Sequence, residues 1–445
     1  MYYFTYATFI LVAVAAYLAS INVVPASAKF IPEALSGIAV LYVALAGIQQ
    51  RFRFIAPKYW LIFAGLLVVI LCGILSNHVA SGPIVAGTRY YLRALPFFFL
   101  PAIYDFKDWQ LRRLFQLLML ISILQCPLAV HQRFFLEATG HESGDDVYGT
   151  LMLSGTLSLF LICVLSVATA LLMRERLSFR SYLALFLVLL IPMSINETKI
   201  TVLLLPLALL MTILLASPRG KRLQRTAIGL GVLAMGACIF VPIYNYYNLH
   251  HQSDSFTLQE YFSNKNGMLT NYLSTGARVG TTQEAGRLDD LIVPLQELSR
   301  DPVKFAFGVG LGNASKSSLG PAFSGVYYPI YWRYETSSGT FLLETGVFGL
   351  ALILLLHWQI ARDALAIRRA DSSIVDSMAH AWPAAVIVMT AGLFYIPIHL
   401  SEAASYAFFF FSGLIAARRV RVAATVRTAT IPTRNRAADA RQLVA

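Results

Sequence analysis

Apolar positions run through this chain in long blocks, and polar positions fall in short breaks between them. A helix that crosses lipid needs ~20 mostly apolar residues, because the hydrocarbon is ~30 Å thick and backbone groups must be satisfied within the segment. Blocks of this kind occupy residues 3–25, 31–49, 59–77, 88–104, 112–131, 150–172, 181–196, 199–216, 226–244, 338–358, 378–398 and 401–417. The pattern predicts an all-α polytopic membrane protein of about twelve spans. The run at 88–104 carries Arg89 and Arg93, and those at 181–196 and 199–216 are short. The first run is too long for a removable signal peptide and lacks its small-residue cleavage pattern, so it is read as a retained span.

Composition narrows the class further. Of 445 residues, 57% are hydrophobic and 13% charged, against ~25% charged in ordinary soluble domains. A soluble protein is excluded. Cys72, Cys126, Cys163 and Cys238 all lie in apolar runs, which argues against a disulfide framework or a thiolate metal site. The net charge of +12 would suit nucleic acid if it formed a patch, but it is spread over alternate loops. Most of the 35 Lys and Arg residues fall on one side of the predicted spans, and most acids on the other. Positive charge marks the cytoplasmic side, so both termini are expected there, and no nucleic-acid partner is.

The loops divide the chain into spans over 1–243, a large outer loop over 244–337, further spans over 338–417 and a basic tail over 418–445, expected to be disordered and to rest on anionic headgroups. Loops beyond ~12–15 residues are usually functional or disordered. This one carries helix-like runs (Leu258–Leu273, Arg287–Leu298), aromatics and a glycine-rich bend, so it is expected to fold. A second outer segment, His131–Tyr148, is acidic and polar.

Candidate chemistry lies on the outer side. Gly286-Arg287 opens a helical run and is followed by Gly308-Val309-Gly310 and Gly312; such glycines let backbone N–H groups approach an anion, or simply form a tight loop. Glu335 lies at the entry to the tenth span, where desolvation would make it a stronger base, or where it is a helix-start acid favoured by the macrodipole. Glu344, nine residues on, reads as a structural partner of an intramembrane arginine. Lys199 lies between the seventh and eighth runs and either snorkels to the headgroups or binds an anion. Arg89 and Arg93, four apart on one helix face, are expected to face a polar interior. With Arg278 and Arg287 they would place several cations at the outer headgroup level, as a diphosphate needs. Tyr327, Tyr328, Tyr331 and Trp332 suit sugar stacking or interface anchoring. Histidines such as His131, His141, His250 and His251 lack metal-ligand spacing.

This layout resembles the O-antigen polymerase and O-antigen ligase superfamily of bacterial envelopes, most strongly over 180–355. Lys199 stands where the family carries a basic residue between two spans, usually arginine. Gly286-Arg287 and Gly308-Val309-Gly310 stand for its loop motif, and Glu344-Thr345-Gly346-Val347-Phe348-Gly349 for its closing Glu-x-Gly-x-x-Gly. Where ligases carry His-Asn this chain has Glu335-Thr336, which favours a polymerase of O-antigen, capsular or exopolysaccharide repeats over a ligase. The resemblance implies a bacterial inner-membrane glycosyltransferase with a periplasmic site. Its donor and acceptor would be polyprenyl-diphosphate-linked glycans, with no metal or cofactor, and a chain-length regulator is left open as a partner. Glu335, Arg287 and Lys199 would be catalytic; Arg278, Arg89, Arg93, Gly308, Gly310, Tyr331 and Trp332 would bind substrate. The rival from another class is a twelve-span transporter, which would carry repeat halves and midplane binding residues.

Overall fold

Leucine-, alanine- and phenylalanine-rich runs, punctuated by proline, glycine and polar pairs, fold into helices only; no strand occurs among the described residues. The computed structural model describes residues 1–50, 55–135, 144–251, 257–275, 285–367 and 373–430. In chain order the helices are α1 (Tyr2–Ser20), α2 (Ile31–Gln50), α3 (Pro57–Ser76), α4 (Ser81–Leu92), α5 (Pro96–Ile103) and α6 (Asp108–Phe134). These are followed by α7 (Ser154–Met173), α8 (Phe179–Ile195), α9 (Thr201–Ala216) and α10 (Arg222–His251). The 244–337 segment holds α11 (Leu258–Phe262), α12 (Met268–Leu273), α13 (Asp289–Leu298), α14 (Pro302–Phe307) and α15 (Tyr328–Tyr331). The chain then forms α16 (Ser337–Ile367), α17 (Ile374–Met378), α18 (Trp382–Tyr395) and α19 (Glu402–Thr430).

Among the described residues seven stretches are long and apolar enough to cross a membrane: Tyr2–Ser20, Ala26–Gln49, Pro57–Ser76, Asp108–Phe134, Ser154–Met173, Arg222–Tyr247 and Ser337–Ile367. Each overlaps an expected run. The other five runs are realised differently. The 88–104 run is broken between α4 and α5, because the Pro96 ring cannot continue an incoming helix and Arg93 turns inward at the break. The 181–196 and 199–216 runs form α8 and α9, of 17 and 16 residues. The 378–398 run divides into the end of α17 and α18, with Pro383 in the first turn of α18. The 401–417 run is only the first part of α19, which continues to Thr430.

That continuation corrects the expected disordered tail over its first thirteen positions. Arg418 grips the buried Asp376 carboxylate through Nε (3.0 Å) and a terminal nitrogen (2.9 Å), and Arg421 pairs with Asp105. Bidentate guanidinium–carboxylate contacts fix this part of the helix against its neighbours. Residues 431–445 lie outside the described residues.

Almost every residue of α7 is buried, and α8, α9 and α18 pack around it. Beside it α16 packs on α3, α18 and α19. By contrast Ile48, Leu61, Leu75 and Leu223 turn their side chains outward. Apolar area left in water costs about 25 cal/mol per Å², so such a surface is suited to lipid.

The 244–337 segment is helical where its sequence pattern implies, with one refinement. The 258–273 run is kinked into α11 and α12 by positive φ at Asn264, Asn266 and Gly267. Helices α13 and α14 then pack on α16, which fixes this segment to the long apolar helices.

Candidate functional site

The site is built from the backbone around Gly286. A Cβ there would lie 2.5 Å from the Leu273 carbonyl oxygen, so only glycine permits the approach to the end of α12. Across that contact the Arg287 N–H donates to the Tyr272 carbonyl at 3.1 Å and the Leu288 N–H to the Leu273 carbonyl at 2.7 Å. The Asp289 carboxylate closes the turn by accepting from the Ser274 hydroxyl and from the N–H groups of Thr275 and Gly286. Burial opposes its charge, but these hydrogen bonds outweigh that and hold its carboxyl below the ordinary range. Arg287 is thereby delivered beside Tyr272.

Lys199 reaches the same ring from the turn between α8 and α9. Its Nζ lies 5.1 Å from the Tyr272 centroid and 5.4 Å from that of Tyr261. The Arg287 guanidinium carbon lies 5.6 Å from the Tyr272 centroid and 5.4 Å from that of Tyr395. Two cations separated by eighty-eight positions thus share one aromatic ring. Together with Ile200, Leu203, Leu269 and Phe394 they line a cavity of about 320 Å³. Neither forms an ion pair among the described residues.

Their electrostatics are those of an open anion site. Burial pushes the Lys199 ammonium below its ordinary range; Asp145 and Glu197 pull it back, and the Arg287 charge depresses it further. Burial also opposes the Arg287 charge, while Tyr272, Tyr395 and Asp290 hold its proton more tightly than usual. Like charges at the same half-buried ring repel, and an anion between them relieves the repulsion. Cation–π contact is worth ~0.5–2 kcal/mol per pair. That is enough to orient the two side chains, but too little to neutralise them.

Glu335 does not line this cavity. It stands at the exposed rim of a second one, of about 310 Å³, together with Tyr90, Lys316, Tyr331, Trp332 and His399. Partial burial raises its carboxyl above the ordinary range, against the opposing pull of Arg287 and Lys316. Glu335 is therefore within electrostatic reach of Arg287 while facing a separate, aromatic-walled space. The expected sugar-facing residues Tyr331 and Trp332 do come together with it; Trp332 also stacks under Arg333 at 4.6 Å.

Asp290, three residues after Arg287, reaches the start of α16. It is 2% exposed. Its Oδ2 accepts the Thr336 N–H at 3.2 Å, and its Oδ1 is buried without a well-formed hydrogen bond. Burial pushes its carboxyl up to about 7; Arg287 and Thr336 pull it down, and Glu335 adds to the rise.

Arg89 and Arg93 face the interior as expected, but not this cavity. Arg89 pairs with Glu33 and donates to the Ser318 hydroxyl. Arg93 pairs with Glu402 at 2.8 Å, lies 3.7 Å from Glu33, and donates to the backbone carbonyls of His399 and Leu400. Both charges are already matched by half-buried carboxylates. Arg278 lies outside the described residues.

The glycine bend packs against its own chain. Gly308 and Gly310 adopt φ of +74° and +94°. The Val309 and Gly310 N–H groups donate to the Leu343 and Glu344 carbonyls of α16. The Glu344 carboxylate accepts from the Ala314 N–H at 3.2 Å and the Ser315 hydroxyl at 2.7 Å. The expected arginine partner of Glu344 is replaced by this bend, because α16 turns at Gly346 (φ +65°) and brings the carboxylate under the loop. A Cβ on Gly308 would lie 2.4 Å from the Glu344 carbonyl carbon. Gly308→Ala is accordingly expected to lose folded protein, at a cost of several kcal/mol, as read by monodispersity and thermal midpoint in detergent. A stable Gly308→Ala protein that had lost only diphosphate affinity would restore the anion-cradle reading.

Three partners of the site had no local signature. Tyr261, Tyr272 and Tyr395 reach the cations from separate elements. Asp290 carried one: it lies three residues after Arg287 at a helix start, a spacing that puts both on one face. Nearby Arg133 and Glu197 form a buried pair at 2.7 Å that positions the turn before Lys199. No protein-family model matches this chain, and no curated protein matches it.

Proposed function

We propose that the chain is a membrane glycosyltransferase that polymerises polyprenyl-diphosphate-linked oligosaccharide repeats on the outer face of a bacterial inner membrane. The observation that carries this reading is the convergence of Lys199 and Arg287, neither in an ion pair among the described residues, on the Tyr272 ring of a cavity with otherwise apolar walls. A lipid-linked diphosphate has those two halves, a dianionic group and a hydrocarbon chain. In this reading the shorter helices α8, α9 and α18, with α4–α5 and the first part of α19, complete a twelve-span topology whose termini are cytoplasmic.

The reaction follows from the two cavities. The acceptor sugar enters the space walled by Tyr331, Trp332 and Tyr90, and its hydroxyl oxygen bonds to the anomeric carbon of the donor. The bond from that carbon to the diphosphate oxygen breaks, and its electron pair leaves on the diphosphate. Lys199 and Arg287 stabilise the charge that develops there, which is the largest single catalytic need of such a step. The hydroxyl proton passes to Glu335. Inversion at the anomeric carbon is what the resemblance to the polymerase and ligase superfamily implies.

Purified full-length protein in nanodiscs, given a polyprenyl-diphosphate-linked oligosaccharide alone, is expected to lengthen it into a ladder of repeats. Movement of the intact lipid-linked oligosaccharide across a proteoliposome membrane, with no lengthening, would instead favour a transporter.

A further inference from the structure

The groups around Asp290 belong to both cavities at once. Arg287, three residues before it, lines the diphosphate cavity; Glu335, one residue before the Thr336 N–H that Asp290 accepts, lines the acceptor cavity. The approach is close because α16 has glycine at 339, where a Cβ would lie 2.5 Å from the Asp290 carbonyl oxygen. A buried carboxyl group with one oxygen left without a well-formed hydrogen bond is costly, so its retention at the junction calls for a role. We propose that Asp290 is a positioning residue shared by the two cavities: it ties α13 to the start of α16 and sets the charge felt by Arg287 on one side and Glu335 on the other. This rests on the glycosyl-transfer reading above and deepens it.

The charged and titratable groups that face Asp290 give the sign. Arg287 favours its ionised form, and Glu335 opposes it. Asp289 is already ionised and hydrogen-bonded in the turn, and Tyr334 couples to both aspartates. With its carboxyl pushed up to about 7, Asp290 is mostly neutral at pH 6, leaving the full Arg287 charge for the diphosphate. At pH 8 it is mostly ionised, which compensates Arg287 and makes Glu335 harder to ionise. Donor affinity therefore falls as pH rises through neutrality. Asp290→Asn removes the step but keeps an oxygen to accept the Thr336 N–H.

The test measures binding of a methyl diester of farnesyl diphosphate, whose charge stays constant between pH 6 and 8, to the full-length protein in detergent. For the wild type Kd is expected to rise roughly tenfold across that range. Asp290→Asn should bind tightly with less than about a twofold change, and Asp290→Glu should keep a step with a displaced midpoint. A flat wild type, an Asn variant that keeps the step, or a Glu variant with an unmoved midpoint would each overturn the assignment. Should the Asn variant not fold, the wild-type slope and the Glu midpoint decide. An Arg287→Ala protein that binds the probe as well as wild type would instead remove the parent reading of the cavity.

Discussion

Replacing Arg287 with alanine is expected to abolish long-chain polysaccharide while the protein remains inserted at its normal level. The guanidinium half-buried beside Tyr272 and Tyr395 has no ion pair among the described residues, so its removal leaves no buried carboxylate stranded at hydrogen-bond distance. Little stability should be lost. The catalytic loss is much larger, because the positive charge acts where the leaving diphosphate gains its electron pair. Removing one preorganised donor of that kind lowers turnover by about 10²–10³. Arg287→Lys should recover only part of this, since an ammonium lacks the planar fork that a diphosphate accepts in two places. In cells the expected pattern is cores carrying a single repeat, as when a polymerase is lost. Free lipid-linked polymer beside bare cores would point to a ligase, and normal chain length would remove Arg287 from the mechanism.

Glu335→Gln is the second large effect. The amide keeps the size and most hydrogen bonds of the carboxylate but cannot take the acceptor proton, and loss of a general base lowers rate by ~10²–10⁴. Because partial burial raises this carboxyl above the ordinary range, the acid limb of the wild-type rate profile should lie above the usual carboxylate titration. Activity is present while Glu335 is ionised and is lost as pH falls through its raised value. A Gln variant with wild-type turnover would assign the proton to another group. A wild-type profile whose acid limb fell in the ordinary carboxylate range would do the same.

Different parts of this architecture were visible in the sequence to different degrees, for physical reasons. Runs that are apolar along their whole length, such as 59–77 and 150–172, became α3 and α7 within a few residues, because lipid-length helices are specified locally. The run at 88–104 was apolar enough on average but held a proline and two arginines, and tertiary ion pairs with Glu33 and Glu402 turned it into two short helices around a break. Gly286-Arg287 was legible as a motif because glycine is the only residue that fits against Leu273. The tyrosines that complete the cavity were not, since Tyr395 meets Arg287 only through packing between α18 and the 244–337 segment. Gly308 and Gly310 were recognised as an anion-binding shape, but the bend is occupied by α16 of its own chain, whose Leu343 and Glu344 carbonyls accept its N–H groups and whose approach depends on the turn at Gly346.

The central claim is that a lipid-linked diphosphate sits between Lys199 and Arg287. A cryo-electron microscopy structure of the full-length protein in nanodiscs with a farnesyl diphosphate methyl diester tests this directly. The account predicts density for the diphosphate within hydrogen-bond reach of both the Lys199 ammonium and the Arg287 guanidinium, with the hydrocarbon leading past Leu203 and Phe394. Diphosphate density beside Lys316 in the Glu335 cavity, with Lys199 and Arg287 untouched, would contradict it.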